Sequence, residues 1–81
     1  MKVLLTGATG FLGQRVLRDL LARDVDVRCA VRTSSRLGEI RELQDRHGNQ
    51  IEITTVDLAT EDGCHEAVSG CEVVYHLAAS L

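Results

Sequence analysis

Val3-Leu4-Leu5-Thr6-Gly7-Ala8-Thr9-Gly10-Phe11-Leu12-Gly13 decides the fold of this chain. An unbroken Val-Leu run reads as a strand buried on both faces, and the glycines begin where that run stops and a helical pattern starts. Gly7 is the expected turn-maker, because glycine reaches positive φ without steric cost. Gly10 lacks a side chain just where the first helical turn offers unpaired N–H donors and partial positive charge, so a diphosphate can approach the backbone there. Gly13 falls inside the helix, where glycine costs about 1 kcal/mol relative to alanine, which predicts a compensating close contact between helix and strand. The alternative is a plain glycine-rich loop. The flanking strand and helix, with a second strand in reach, favour a dinucleotide site.

The same alternation continues to the end of the 81 residues, without proline, repeat or low-complexity stretch. Residues 2–6 read as the first strand. Leu12, Val16, Leu17, Leu20 and Leu21 mark one face of a helix ending near Arg23, with Arg15, Arg18 and Asp19 on its outer side. Residues 25–31 form the second strand. After the polar turn Thr33-Ser34-Ser35, the residues Leu37, Ile40 and Leu43 predict a shorter helix that stops at Gly48-Asn49. Residues 51–56 make the third strand. Thr60 can cap a third helix, with Glu61 and Asp62 in its first turn and Gly70 at its close, and residues 72–77 form the fourth strand. The class is α/β: the N-terminal part of a doubly wound Rossmann fold, four parallel strands in order 3-2-1-4 with three helices and right-handed crossovers. The ligand crevice then lies at the carboxyl ends of strands one and four, where the order reverses.

Composition sets the bounds. Charged residues are 26% and apolar residues 44%, ordinary for one small folded domain. A net charge of −3 with scattered Lys and Arg gives no basic stripe for nucleic acid and no polybasic membrane patch. The N-terminal apolar run is interrupted too early for a signal peptide or a membrane span, so a cytoplasmic protein is expected. Cys29, Cys64 and Cys71 match no zinc spacing, although Cys64, His65, Cys71 and His76 are close in sequence. The expectation is no metal site and reduced thiols facing the core, since Cys64, Ala67, Val68 and Cys71 recur at helical spacing.

The cofactor-reading positions fall at strand carboxyl ends. An NAD-type site usually ends its second strand with Asp or Glu, about twenty residues after the glycines, to bind ribose hydroxyls. Here Arg32 holds that place. With Thr33, Ser34, Ser35 and Arg36 it favours a 2′-phosphate, hence NADP; each charged hydrogen bond contributes about 1.5–3 kcal/mol, roughly ten- to hundredfold over NAD. The alternative is a solvated loop arginine. Asp57 can accept the exocyclic amine of an adenine, with Leu58 beside the ring, or it can end the third strand by bonding nearby backbone N–H groups. Ala78 and Ala79, directly after the fourth strand, would let a ribose or nicotinamide approach the backbone. His76, near this edge, has no acidic partner in view and carries no catalytic assignment.

Together, Thr6-Gly7-Ala8-Thr9-Gly10-Phe11-Leu12-Gly13, Val31-Arg32, Asp57-Leu58 and Tyr75-His76-Leu77-Ala78-Ala79 resemble the extended short-chain dehydrogenase/reductases across the whole chain. Within them the chain is similar to the NAD-dependent epimerase/dehydratase and dihydroflavonol-reductase-like branch. The resemblance implies that Thr9, Phe11 and Leu12 line the diphosphate turn with Gly7, Gly10 and Gly13. It implies that Arg32 meets the 2′-phosphate, Asp57 and Leu58 hold adenine, and Ala78 and Ala79 border the ribose. The family's Tyr-x-x-x-Lys pair has no counterpart: Tyr75 is the only tyrosine, Ala79 stands four residues later, and Lys2 is the only lysine. The sheet also reads as unfinished, since a fifth strand would pair with the fourth in the full fold and an exposed apolar edge invites aggregation.

The 81 residues are therefore expected to be the NAD(P)-binding N-terminal half of a longer enzyme. That parent would be an NADP-preferring reductase or a nucleotide-sugar epimerase/dehydratase. The catalytic and substrate-binding portion would lie downstream and take a small-molecule substrate, with a homodimer among the implied assemblies. A non-catalytic NAD(P)-binding redox sensor is the alternative function. A methyltransferase-like binder is a third, which would normally place an acidic residue where Arg32 stands. A P-loop is excluded, since Gln14-Arg15 follows Gly13 instead of Lys and Ser or Thr.

Overall fold

The structure, a computed structural model, describes residues 2–32 and 37–77. Four strands, β1 (Lys2–Thr6), β2 (Asp26–Val31), β3 (Ile51–Thr55) and β4 (Val73–His76), alternate with three helices, α1 (Phe11–Ala22), α2 (Gly38–His47) and α3 (Glu61–Val68). A short 3-10 turn, Gly48–Gln50, joins α2 to β3. All strand pairs are parallel and the sheet order is β3-β2-β1-β4, so the expected topology is the observed one.

The helices divide between the two faces of the sheet, which is why β1 can be apolar throughout. Val3, Leu5, Val27, Cys29, Val31 and Ile51 meet Leu17, Leu20 and Leu21 of α1 and Ile40 and Leu43 of α2. On the other face Leu4, Ala30 and Val56 meet Ala67 of α3, with Leu58 and Cys71 packed alongside. Burial pushes the Cys29 thiol up to about 12, so it stays protonated as a core residue.

Strand ends differ from the sequence expectation by one residue, although the ladder bonds run on. The Val56 N–H donates to Val31 O at 2.9 Å, Glu72 N–H to Lys2 O at 2.9 Å and Leu77 N–H to Thr6 O at 3.2 Å. Two packing expectations are corrected. Leu12 is 60% exposed instead of lying on the buried stripe of α1. Cys64 is exposed, not turned to the core, and its thiol donates to Leu58 O at 3.1 Å. The reason for the second is the short reach of α3, which buries only Gly63 and Ala67. A contact line that narrow leaves Cys64 and Val68, one position further round, on the open side.

Candidate functional site

The turn between β1 and α1 is built by glycines with separate tasks. Gly7 adopts φ 77°, the left-handed region. Its carbonyl accepts the Gly10 N–H at 3.1 Å, closing the turn, and Gly10 accepts the Gln14 N–H at 2.9 Å to start the helix. A Cβ on Gly13 would stand 1.9 Å from Gly7 O, so the turn folds under the first helical turn only because that position is glycine. The expected close approach at Gly13 is therefore real, but its partner is the backbone of the turn after β1 and not the strand itself.

What this turn leaves open is chemically distinctive. Gly10 is the N-cap of α1 with extended backbone, no side chain caps the helix, and its first turn carries no acidic residue. Backbone N–H groups at that end therefore face the mouth without a competing oxygen. Thr9 and Gly10 are exposed there, and Phe11 is 85% exposed. A groove bordered by Thr9, Gly10, Gln14, Arg15, Arg18 and Glu39 runs from the turn toward the start of α2. Gln14 Oε1 is buried at this groove with no hydrogen-bond partner among the described residues, an acceptor that a hydroxyl or a water would satisfy.

Parallel register places the other candidate positions along the same rim. Thr6 is beside Ala30 and His76, and Ala30 beside Thr54, so the residues after β1, β2 and β3 emerge on one edge. Arg32 is exposed immediately after β2, at the rim. Asp57 is exposed after β3, and its Oδ1 accepts the Ala59 N–H at 2.9 Å. Asp57 thus shapes its own turn, as one of its two sequence readings expected, while its second oxygen has room for another donor. Leu58 is half-buried against the α3-side cluster. Ser34, Ser35, Arg36, Ala78 and Ala79 lie outside the described residues.

Sequence reasoning missed two polar arrangements. At the rim, Thr6 Oγ1 lies 2.8 Å from His76 Nδ1 and accepts the Leu77 N–H at 3.1 Å. At the opposite edge Glu52 binds both Arg28 Nε and Lys2 Nζ, the latter at 3.2 Å. Arg28 also donates to Ala67 O at 2.8 Å and Ser69 O at 2.6 Å, satisfying carbonyls at the C-terminal end of α3. The Arg28 hydrogen bond, helped by Lys2, holds the Glu52 carboxyl below its ordinary value. Both sets rest on cross-strand register, which a single sequence does not display. Lys2 is occupied at the amino end of β1 while Tyr75 is toward the carboxyl end of β4, so these two cannot act as a proton-relay pair. Among the described residues no group of three His, Cys, Asp or Glu side chains is placed to hold a metal ion. No described helix is long and apolar enough to cross a membrane.

Comparison with known proteins agrees with this geometry. The chain is 37% identical over 81 residues to a dihydroflavonol 4-reductase of Zea mays, covering 98% of this chain and 23% of that protein. It is similar in structure to vestitone reductase from alfalfa (Medicago sativa), with a TM-score of 0.82 and 26% identity over 99% of this chain and 26% of the other. It is also similar to the yeast methylglyoxal/isovaleraldehyde reductase Gre2 complexed with NADPH, with a TM-score of 0.73 and 25% identity over 100% of this chain and 28% of the other. The chain thus spans about a quarter of the length of the relatives it matches. The sequence model of the NAD dependent epimerase/dehydratase family matches residues 3–81, and the chain belongs to that family.

Proposed function

We propose that these residues are the cofactor-binding part of an NADP-preferring reductase or nucleotide-sugar epimerase/dehydratase, with the reacting side chains supplied outside them. The observation that carries this reading is the glycine-built, uncapped N-terminus of α1 at the point where strand order reverses. An anion is the ligand such a helix end favours, and the absence of a Gly10 side chain lets a diphosphate reach it. The residues present fit that group: Gly7 turns the chain, Thr9, Phe11 and Leu12 border the mouth, and Gly13 keeps the helix seated on the turn. Arg32, with Ser34, Ser35 and Arg36, would take the 2′-phosphate. Asp57 and Leu58 would hold adenine, and Ala78 and Ala79 would border the nicotinamide ribose. The bound dinucleotide would supply a hydride donor or acceptor; the chain's own residues bind and orient it.

Gre2, a structural relative, is described as complexed with NADPH, which supports the same cofactor class. A cytoplasmic location suits the reduced thiols of this reading. The full-length natural protein is expected to bind NADPH, and Arg32→Ala to weaken it at least about tenfold, the scale of one lost charged contact. Calorimetry giving equal NADPH affinity in both proteins would reject the role of Arg32. No detectable binding of either NADPH or NADH would reject the site. A redox sensor remains the alternative function, and turnover of a carbonyl substrate by the natural protein decides against it.

A further inference from the structure

Helix α3 is fastened at its two ends more than along its length. Its buried residues are Gly63 and Ala67, and Ala67 packs with Leu4, Ala30 and Val56. At its C-terminal end Arg28, on β2, donates to Ala67 O at 2.8 Å and to Ser69 O at 2.6 Å. That guanidinium also binds Glu52 on β3, which Lys2 on β1 reaches at 3.2 Å, so the anchor belongs to the sheet. At its N-terminal end the helix is tied to the turn that precedes it. Thr60 donates to Asp57 O from its N–H at 3.2 Å and from its hydroxyl at 3.0 Å, the Cys64 thiol donates to Leu58 O at 3.1 Å, and Gly63 is seated against Asp57 O. The sheet on either side is secured without the helix: Val56 N–H donates to Val31 O and Glu72 N–H to Lys2 O, both at 2.9 Å.

We propose that residues 57–69 form a flap that lifts from the sheet as one unit while the strands, α1 and α2 stay folded, with Arg28 as its latch, and that a ligand held by Asp57 and Leu58 closes it. The closing rests on the adenine reading above; the lifting does not. Lifting breaks the bonds from Arg28 and uncovers one alanine and one glycine of the helix, whereas releasing α1 would expose Leu17, Leu20 and Leu21. The cheaper opening is the one that occurs first. Because Asp57 and Leu58 are bonded to the helix and not only to the strand, a ligand that touches them binds the closed form more tightly and shifts the flap toward it.

The test is native-state hydrogen exchange on the full-length natural protein, comparing the amides of residues 64–69 with those of Leu17, Leu20 and Leu21. The α3 amides are expected to exchange faster than the α1 amides, and with a weaker dependence on denaturant. Arg28→Met speeds the α3 amides about tenfold or more, the scale of a lost charged hydrogen bond. Ile40→Val, a trimmed core side chain on the other face of the sheet, speeds the α1 amides about fivefold and leaves α3 within about twofold. It decides the matter if Arg28→Met does not fold. Adenosine 2′,5′-bisphosphate at a hundred times its Kd slows α3 exchange about a hundredfold. Equal rates in the two helices, or equal acceleration of both by Ile40→Val, overturn the flap. Bound bisphosphate that leaves α3 exchange unchanged overturns its closing by ligand. Calorimetry showing no bisphosphate binding overturns the adenine reading and the closing with it, while the two variants still decide the lifting.

Discussion

The turn from β1 into α1 and the turn from β3 into α3 share a closing hydrogen bond and a glycine seat, and end in opposite chemistry. In each, a glycine six residues after the turn's first carbonyl sits so close that an added Cβ would stand 1.9 Å away, Gly13 over Gly7 O and Gly63 over Asp57 O. In each, the N-cap donates back to that carbonyl, Gly10 at 3.1 Å and Thr60 at 3.2 Å. The caps then diverge. Thr60 Oγ1 accepts the Gly63 N–H at 2.9 Å, and Glu61 and Asp62 fill the first turn of α3 with negative charge. Gly10 offers no oxygen, and α1 has no acid in its first turn. One helix end satisfies itself, while the other keeps its donors for something else.

Packing explains why α3 needs its fasteners. Its buried residues are Gly63 and Ala67, which contribute little apolar area, whereas α1 buries Leu17, Leu20 and Leu21. The Thr60 cap at one end of α3 and the Arg28 guanidinium at the other make up for that thin contact. Helix α1, held by its leucines, can leave its N-terminus uncapped. The site is thus affordable because apolar burial elsewhere on the same helix stabilises it.

The hardest blow to this pairing is Gly13→Ala or Gly63→Ala. Each forces a methyl into a backbone carbonyl, and each is expected to cost about 3 kcal/mol in chemical denaturation. Gly13→Ala should in addition abolish nucleotide binding, whereas Gly63→Ala should leave the affinity of the surviving folded protein unchanged. Similar stability for either variant and wild type would mean that the two turns do not share the tight seat described.

Exchanging cap chemistry gives a smaller and more discriminating effect. Gly10 has extended φ and ψ that any residue adopts, and among the described residues a Cβ there meets only Gly7 O, at an ordinary 3.5 Å. Gly10→Asp should therefore fold normally yet lose more than about tenfold in NADPH affinity, because a carboxylate takes the donors and repels the diphosphate. Thr60→Ala should do the reverse, losing about 1 kcal/mol of stability and no affinity. Binding curves that coincide for Gly10→Asp and wild type would remove the functional half of the comparison.

The mildest effect concerns pH at the other end of α3. The folded-state pKa of Glu52 is depressed, by the Arg28 hydrogen bond first and by Lys2, so its contribution is present above the unfolded value and is lost as pH falls through the folded one. Glu52→Gln is expected to lower the folding midpoint modestly at neutral pH, where the contribution is present, and to flatten stability on the acidic side, so that the two proteins converge as pH falls. Its carboxylate is partly exposed, so the loss is modest. Parallel pH curves for the two proteins would show that Arg28 and Lys2 do not depress this carboxyl.

Much of the architecture was legible in the residues themselves. Local apolar period separated strand from helix, Gly7 and Gly70 sit at positive φ as their turn and cap positions required, and Thr60 caps the helix that opens with Glu61 and Asp62, as expected. The strand order followed because parallel strands joined by helices leave few right-handed arrangements. Exposure was less legible. Periodicity identified Leu12 and Cys64 as apolar-face candidates, but whether a face meets a neighbour depends on how far that neighbour extends, and both proved exposed.

The sequence by itself determined the elements, their order and the glycine seat of α1, because each depends on residues within a few positions of one another. Tertiary structure alone decided that Thr6 meets His76 and Leu77, and that Arg28 joins Glu52 to the end of α3. Those partners are separated by 70 and 71 positions at the rim, and by 24 and 39 at the opposite edge. Only the register of parallel strands and the seating of a helix across them bring such residues within hydrogen-bonding distance.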